Sequence, residues 1–418
     1  MPAVTDLPAY KPRPAHAKLA LNGLRIVDFS HFVAGPYCTA ILADLGADVM
    51  KIENAARGDD FRAARRAQIG GEGGPFLWAN RNKRSIALDM SVPEGREIAR
   101  EMIRRADVVV ENFSAGVMEK FGLDYATVSS DNPRLIYCSI SACGREGPLA
   151  SRIGFDPIAQ AETGLMSINA VPDGPPTTYG TPIVDMTTGM TASTAILAAL
   201  HAREQYGHGQ RVEVAMFDQG ITMLGYDATN YLISGQNQLR PRLPPSVPVG
   251  SFETLDHGIF VCCANDRTYH RLAVQALGRP DLSESPDYTL NIDRVNNSEK
   301  LLPILRDIFK TETRETWLAR LRAAGVPVAP IATIEEAVTS AEAAERGLIS
   351  QIPHPTVGAV PNIASPIRLS ETPVVDPRAA PLLGQHTDEL LSQVMGYDAE
   401  QIAALERSGA LGKRRMPA

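Results

Sequence analysis

Residues 24–53 read LRIVDFSHFVAGPYCTAILADLGADVMKIE, and their pattern decides the predicted fold. Residues 24–29 form a short apolar run that is typical of a buried strand. In residues 36–45 apolar side chains recur at helical spacing, and Gly46 follows them. Residues 48–53 form a second apolar run. The short connections predict a βαβ unit, whose two strands are parallel and belong to one sheet.

The alternation of strands and helices continues beyond this unit. Residues 93–105 and 116–121 have helical patterns, and each is followed by an apolar run, at 107–110 and 135–140. This rhythm favours the α/β class, here a Rossmann-like open parallel sheet. The loop after the first strand holds one glycine in place of a GxGxxG motif, so the usual kind of dinucleotide site is not supported.

A second, smaller domain is predicted after a proline-rich segment. Two longer helices, over residues 186–206 and 216–233, precede that segment, and short strands with three helices follow it. The predicted organisation is a loose N-terminal arm (1–20), a large α/β domain (21–235), a linker (236–250), a small α+β domain (251–331) and a C-terminal return to the large domain with a tail (332–418).

Charge and composition argue against several classes of partner. The formal net charge is -7, which disfavours nucleic acid but leaves room for a local anion site. The five cysteines are scattered and no His/Cys cluster has metal-ligand spacing, so neither a disulfide framework nor a metal site is expected. The N-terminus lacks a signal peptide's apolar core, and no membrane helix is predicted. We expect a soluble, cytoplasmic protein.

Asp185 stands in the stretch GTPIVDMTTGM (residues 180–190), at the start of the predicted long helix. One interpretation is an N-cap, in which the carboxylate accepts backbone N–H bonds. The other is an activated carboxylate presented at a helix N-terminus. Spacing alone favours the cap.

Basic residues concentrate in the first part of the chain, above all in RNKRSIALDM (residues 81–90). A charge run usually forms a solvated face. The alternative is a polyphosphate site, because guanidinium and ammonium groups bind phosphates well.

Four stretches resemble the family III CoA transferases, the family of formyl-CoA transferase and carnitine CoA-transferase. They are residues 21–53, 80–95 (NRNKRSIALDMSVPEG), 107–125 (DVVVENFSAGVMEKFGLDY) and 381–391 (PLLGQHTDELL). The formyl-CoA transferase pattern aligns with residues 33–185 without a gap. The resemblance covers the N-terminal part well, the C-terminal end in part and the small domain poorly.

The resemblance implies that Asp185 is the catalytic nucleophile and that the large domain binds CoA. Acyl-CoA and carboxylic acids would be substrates, with no tightly bound cofactor. The family has an arginine where this chain has Asn54, so Arg57 is expected to take over its phosphate contact. The CoA-binding positions fall on Val33, Ala34, Asn54, Arg57, Leu88, Asp89, Met90, Ser91, Asn112, Phe113, Ser114, Lys120, Ile153, Gly154, Phe155 and Asp156.

Several positions depart from the formyl-CoA transferase pattern. Val33 replaces a glutamine, Ile153 replaces a lysine, and a glycine-rich loop that shields the oxalate site has only Gly250 near its place. These departures leave CoA binding intact as an expectation and leave the identity of the acids open.

The resemblance also implies a mechanism and an assembly. The Asp185 carboxylate would form a mixed anhydride and then a CoA thioester that the acceptor acid attacks. Nearby backbone N–H groups would form the oxyanion hole. The assembly would be an interlocked homodimer. Arg62, Arg65 and Arg66 either hold the far carboxylate of a dicarboxylic acceptor or form a solvated basic face.

Two rival functions remain on sequence grounds. The α-methylacyl-CoA racemases share the expected fold and resemble each other in a His-Asp pair that aligns with Phe155 and Asp156, so this chain lacks the imidazole base. A non-catalytic CoA-binding subunit of a heteromer is the second alternative, and the presence of Asp185 argues against it.

Overall fold

The computed structural model describes residues 4–64, 67–169, 174–237 and 245–412. It divides into two compact units. The large unit comprises Met1–Asn169, Pro175–Asn237 and Ala341–Ala418, and the small unit comprises Ala170–Gly174 and Gln238–Ser340. The C-terminal residues therefore belong with the N-terminal part of the chain.

A six-stranded parallel sheet forms the centre of the large unit. Its strands run in the order β5-β2-β1-β6-β7-β8. This is the Rossmann order, in which the direction of strand addition reverses between the first and fourth strands of the sheet. The predicted fold class is confirmed. The strands of the N-terminal part are β1 (Arg25–Asp28), β2 (Asp48–Asn54), β3 (Gln68–Ile69), β4 (Glu72–Gly73), β5 (Arg84–Leu88), β6 (Val108–Glu111), β7 (Ile136–Ser141) and β8 (Arg211–Ala215).

Helices cover both faces of this sheet. They are α1 (Ala34–Asp44), α2 (Gly74–Ala79), α3 (Pro93–Arg104), α4 (Val117–Phe121), α5 (Tyr125–Val128), α6 (Asp156–Glu162), α7 (Leu165–Ile168), α8 (Ile183–Tyr206), α9 (Met216–Met223) and α10 (Gly225–Ser234). On one face Ile98 and Met102 of α3 pack on β1, β2 and β5. On the other, α1 and α8 pack on β1, β6 and β7, for example through Ile196. Both faces of the strands are buried, as parallel sheets require.

Helix α8 has 24 residues and ends at Gly207, whose φ of 83° is left-handed. Its length and hydropathy would suffice to cross a membrane, but core helices of soluble proteins meet the same criteria. It begins three residues before the predicted Met186. The predicted helix 216–233 is interrupted at Leu224 and forms α9 and α10 instead.

The small unit is an antiparallel sheet with helices, which fits the predicted α+β class. Its elements are β9 (Val249–Glu253), β10 (Gly258–Cys262), α11 (Asp266–His270), a π-helical segment (Arg271–Ala276), α12 (Pro280–Glu284), α13 (Asn291–Asn296), α14 (Ser298–Phe309), α15 (Arg314–Ala323), β11 (Val328–Pro330) and α16 (Ile334–Val338). Val247 is fully buried in its core. The unit therefore already includes residues at the end of the predicted 236–250 linker.

The remaining elements return to the large unit. They are α17 (Ala341–Glu345), β12 (Ile349–His354), β13 (Gly358–Ile363), α18 (Thr387–Glu389), a π-helical segment (Leu390–Val394) and α19 (Ala399–Ser408). The N-terminal arm pairs with this part: Ala9 bridges Gln351, and the Gln351 N–H donates to the Pro8 carbonyl at 2.8 Å. Where the structure describes it, the predicted loose arm is held along the edge of the β12–β13 hairpin, whose unpaired backbone groups accept it.

Candidate active site

The candidate site lies where the sheet order reverses, at the carboxyl ends of β1 and β6. The loops after these strands are joined by a reciprocal pair of hydrogen bonds. The His31 N–H donates to Asn112 Oδ1 at 2.9 Å, and Asn112 Nδ2 donates to the His31 carbonyl at 2.8 Å. Open α/β sheets form ligand sites at this position because the two loops diverge there and leave a crevice.

One cavity at this position, here called the Asp185 cavity, has a volume of about 250 Å³. It brings together residues that are up to 185 positions apart in the chain, since its lining reaches from His31 to Met216. The predicted site residues that line it are Val33, Ala34, Asn112, Phe113, Ser114, Ile153, Gly154, Phe155 and Asp185.

A second cavity of about 270 Å³ adjoins the first. Both are lined by His31, Phe113 and Val117, so together they form one groove along the ends of the strands. The predicted site residues in the second cavity are Asn54, Arg57, Leu88 and Met90.

Four predicted residues line neither cavity. Asp89 accepts hydrogen bonds from the N–H (2.8 Å) and hydroxyl (2.6 Å) of Ser91, so this pair shapes the turn before α3. Lys120 is exposed on α4, between the lining residues Val117 and Phe121. Asp156 is buried beneath the start of α8.

Asp185 lies in the first turn of α8, and the N-cap position is Pro182. Among the residues that the structure describes, none donates a hydrogen bond to the Asp185 carboxylate. Burial, and then the charge of Asp156, raise the pKa of Asp185 to about 7. The capping interpretation of Asp185 is therefore wrong.

The cap of α8 is Asp156. Its Oδ2 accepts the N–H of Val184 at 2.7 Å and that of Asp185 at 3.1 Å. Gln160, one turn further along α6, donates to the other oxygen of Asp156. Gln160 also accepts the Tyr179 N–H at 2.9 Å, which fixes the segment before α8. The sequence did not indicate this role of Gln160, because Tyr179 lies 19 residues away from it in the chain.

Gly189 sets the distance between α8 and α1. A Cβ at this position would lie 2.6 Å from the Ala34 carbonyl oxygen and 3.2 Å from the Cys38 nitrogen. Only glycine allows this approach, which brings the second turn of α8 against the first turn of α1. An isolated glycine inside a helical pattern was the available signal for a close contact.

Aromatic rings form one side of the groove. Phe32 has a φ of 63°, which a bulky residue rarely adopts. Its ring centroid lies 5.4 Å from that of Phe61 and 5.7 Å from that of Phe155, both edge-on. The His31 ring lies 5.4 Å from Phe113. This wall gives the space beside Asp185 an apolar side.

The basic residues of the NKRS stretch hold the sheet together instead of lining the groove. Lys83 Nζ lies 3.0 Å from Asp28, and both side chains are fully buried. Burial lowers the pKa of Lys83 to about 8. Arg81 pairs with Asp44, and Arg84 pairs with Asp48. For these three residues both the solvated-face and the polyphosphate interpretations are wrong, because each finds a carboxylate elsewhere in the fold.

Arg62 is likewise part of the core and does not reach the groove. It pairs with Glu53 at 2.7 Å and Glu72 at 3.0 Å and lies 3.8 Å above the Phe76 ring. Both interpretations of Arg62, the contact with a substrate carboxylate and the solvated basic face, are therefore wrong. Arg65 and Arg66 lie outside the described residues.

Comparison with known proteins identifies the family of this chain. The family model for CoA-transferase family III matches residues 21–387. The chain belongs to CoA-transferase family III. Succinyl-CoA:glutarate CoA-transferase of Mus musculus is 35% identical to this CoA-transferase over 393 residues, which cover 94% of this chain and 90% of that one. Succinyl-CoA:mesaconate CoA-transferase of Haloarcula hispanica is 37% identical and covers 90% of this chain and 96% of its own.

Solved structures agree with this assignment. The crystal structure of a CaiB/BaiF family protein from Brucella suis superimposes on this CoA-transferase with a TM-score of 0.83 at 34% identity, covering 90% of this chain and all of that one. The recognised family, the fold class and the enzyme class are thus confirmed. Acyl-CoA and carboxylate substrates fit this family.

Proposed function

We propose that this CoA-transferase moves CoA from an acyl-CoA to a short dicarboxylic acid, with Asp185 as the nucleophile. The observation that supports this most is the carboxylate of Asp185, which faces a groove at the switch point without a hydrogen-bond donor among the described residues. We take the class of acceptor acid from the names of relatives, which include transferases for glutarate, mesaconate and oxalate.

The proposed reaction has four acyl-transfer steps, all of which involve the Asp185 carboxylate. Asp185 attacks the thioester carbonyl, which gives an aspartyl–acyl anhydride and CoA thiolate. The thiolate attacks the aspartyl carbonyl, which gives an Asp185–CoA thioester and the free donor acid. The acceptor carboxylate attacks this thioester, which gives a second anhydride and thiolate. The thiolate then attacks the acceptor's acyl carbonyl, which gives the new acyl-CoA and restores Asp185.

The oxyanion donors belong to α1 in this proposal. The N–H groups of Val184 and Asp185 are already taken by Asp156, so they are not available to an oxyanion. The first turn of α1 lines the same cavity at Ala34, and the first N–H groups of a helix lack an intrahelical acceptor. Those amides, held against α8 by the contact at Gly189, suit a developing negative charge.

The second cavity is the proposed place of the nucleotide end of CoA. Asn54 Oδ1 accepts the N–H groups of Ala56 (3.0 Å) and Arg57 (3.2 Å), which forms a tight turn after β2. The turn presents Arg57, whose side chain is 73% exposed. Arg57 and Lys120 are thus available for the phosphates. Replacing either by alanine should weaken CoA binding about fivefold at low salt, and less at high salt.

A homodimer is part of the proposal. No residue of α10 is buried within this chain, and Tyr226, Leu232 and Ile233 are each about four-fifths exposed. An apolar surface of this kind on a soluble enzyme suits a subunit contact. Sedimentation should give a mass twice that of one chain. Charged substitutions at Leu232 and Ile233 should reduce the measured mass to that of a single chain.

Incubation with succinyl-CoA and a panel of acids tests the proposed activity. We expect CoA to appear on short dicarboxylic acids, with Asp185→Asn inactive but still able to bind CoA. A racemase would instead introduce deuterium at the α-carbon of a 2-methylacyl-CoA in deuterated water. Absence of both reactions with every acid would favour a non-catalytic subunit.

A further inference from the structure

The Asp185 cavity contains few positive charges that could meet a substrate carboxylate. Among the described residues that line it, Arg145 and Arg152 are permanent cations. His31 also lines it, but burial lowers the pKa of its imidazole, which favours the neutral form. A dicarboxylic acceptor has a second carboxylate that needs a cation at some distance from Asp185, so the two arginines are the candidates.

Both Nη atoms of Arg145 are held by the protein. Its Nη2 donates to both oxygens of Glu111, at 2.7 and 2.8 Å, and its Nη1 donates to the Phe113 carbonyl at 2.8 Å. Its side chain is only 11% exposed. Arg145 therefore holds the end of β6 and the loop that follows, and it has no freedom to turn toward a substrate.

Arg152 is placed differently. Its side chain is 42% exposed and forms an ion pair with Glu162, which is 30% exposed. Glu162 is the last residue of α6, where the helix dipole disfavours a negative charge. Ion pairs of this exposure are weak, so a carboxylate that enters the cavity can displace Glu162.

The backbone holds the Arg152 loop close to the reacting group. A Cβ on Gly154 would lie 2.7 Å from the Ala142 Cβ, so the loop can pack against the end of β7 because residue 154 is glycine. Ile153 and Phe155, which flank Gly154, are 74% and 53% exposed and line the cavity. They offer an apolar surface for a short hydrocarbon chain between two carboxylates.

We propose that Arg152 binds the far carboxylate of the dicarboxylic substrate and that Glu162 occupies this position while the site is empty. The proposal rests on the function proposed above and adds the residue that selects a diacid over a monoacid. A guanidinium suits this role because its planar fork binds a carboxylate through two parallel hydrogen bonds.

The test compares Arg152→Gln, Arg152→Lys and Glu162→Gln with the wild type. Arg134→Gln is a matched control, since Arg134 forms an exposed ion pair with Glu204 away from the cavity. Steady-state kinetics would be measured with glutarate and with the monocarboxylic acid of equal length, pentanoate. The dissociation constant of CoA would be measured by calorimetry.

We expect Arg152→Gln to raise the KM for glutarate at least about tenfold, as loss of a charge-assisted hydrogen bond implies. Its rate with pentanoate should fall far less than its rate with glutarate, its affinity for CoA should equal that of Arg134→Gln, and Arg152→Lys should keep part of the preference. Glu162→Gln should give a KM for glutarate no higher than that of the wild type.

Two results would overturn the proposal. One is an Arg152→Gln variant that keeps the preference for glutarate over pentanoate. The other is a weakened affinity for CoA in that variant, which would place Arg152 on a CoA phosphate. Failure of the proposed function itself looks different, because the wild type would then transfer CoA to no acid.

Discussion

The carboxylate of Asp156 lies behind Asp185, and its Oδ2 accepts the Asp185 backbone N–H at 3.1 Å. The same oxygen accepts the N–H of Val184 at 2.7 Å. One carboxylate thus anchors the helix start that carries the other. Its charge also adds to burial in raising the pKa of Asp185 to about 7.

Asp156→Asn should shift the pH dependence of the reaction. Asparagine keeps an oxygen for the two N–H groups but removes the negative charge near Asp185. The pKa of Asp185 should fall, so the nucleophilic carboxylate persists to lower pH. We expect the acid limb of the plot of kcat against pH to move to lower pH, by up to about one pH unit. An unmoved limb in a variant with wild-type circular dichroism would contradict this coupling.

Asp185→Asn should stabilise the protein at alkaline pH. The pKa of Asp185 rises from 3.8 to about 7 on folding, so the wild type loses stability as the pH rises between these values. Asparagine does not ionise and escapes this loss. We expect the variant to be more stable by up to about 4 kcal/mol at pH 8, since the pKa rises by about three units and each unit corresponds to about 1.4 kcal/mol.

The check is the melting temperature of both proteins across this pH range. The difference between variant and wild type should shrink toward about pH 3, where Asp185 is mostly protonated in both the folded and the unfolded protein. A difference that grows toward acid pH would have the wrong sign.

Gly189→Ala should separate α8 from α1. The new Cβ would lie 2.6 Å from the Ala34 carbonyl oxygen, which is backbone and cannot turn away. We expect a loss of about 1–3 kcal/mol in stability, together with a loss of activity because Asp185 moves relative to Ala34. Gly225→Ala, at the start of α10, is the control, since its Cβ would meet nothing within 4 Å. Equal behaviour of both variants would contradict the close contact.

Arg62→Met should lower stability without changing substrate recognition. Arg62 is buried between Glu53 and Glu72, so its removal leaves Glu53 without its cation. We expect this to lower the free energy of unfolding by about 3–5 kcal/mol. We expect a lower melting temperature, partly restored by adding Glu53→Gln, and an unchanged KM for the acid. A raised KM with unchanged stability would return Arg62 to the substrate site.

The sequence predicts the sheet better than it predicts the helix that carries the nucleophile. The β1–α1–β2 unit was read from local apolar periodicity, and the structure confirms it. The start of α8 was placed too late because its cap, Asp156, is supplied from 29 residues away. Local patterns carry no information on such a tertiary cap.

Charged residues were the least predictable part of the site. A basic run gives no indication of which carboxylates it will meet, so Arg81, Lys83 and Arg62 could not be assigned to the core. The structure brings together, along one groove, most of the residues that the resemblance indicates, and their roles stay predictions. Arg152 is not among those residues, although it immediately precedes Ile153, where the family pattern has a lysine.

The most direct test of Asp185 as nucleophile is peptide mass spectrometry after incubation with acyl-CoA and hydroxylamine. Hydroxylamine attacks an activated aspartyl carbonyl and leaves a hydroxamate on that residue. The proposed mechanism predicts a hydroxamate at Asp185 that requires acyl-CoA, and none in Asp185→Asn. Transfer of CoA without modification at Asp185, or with modification at another carboxylate, would contradict it.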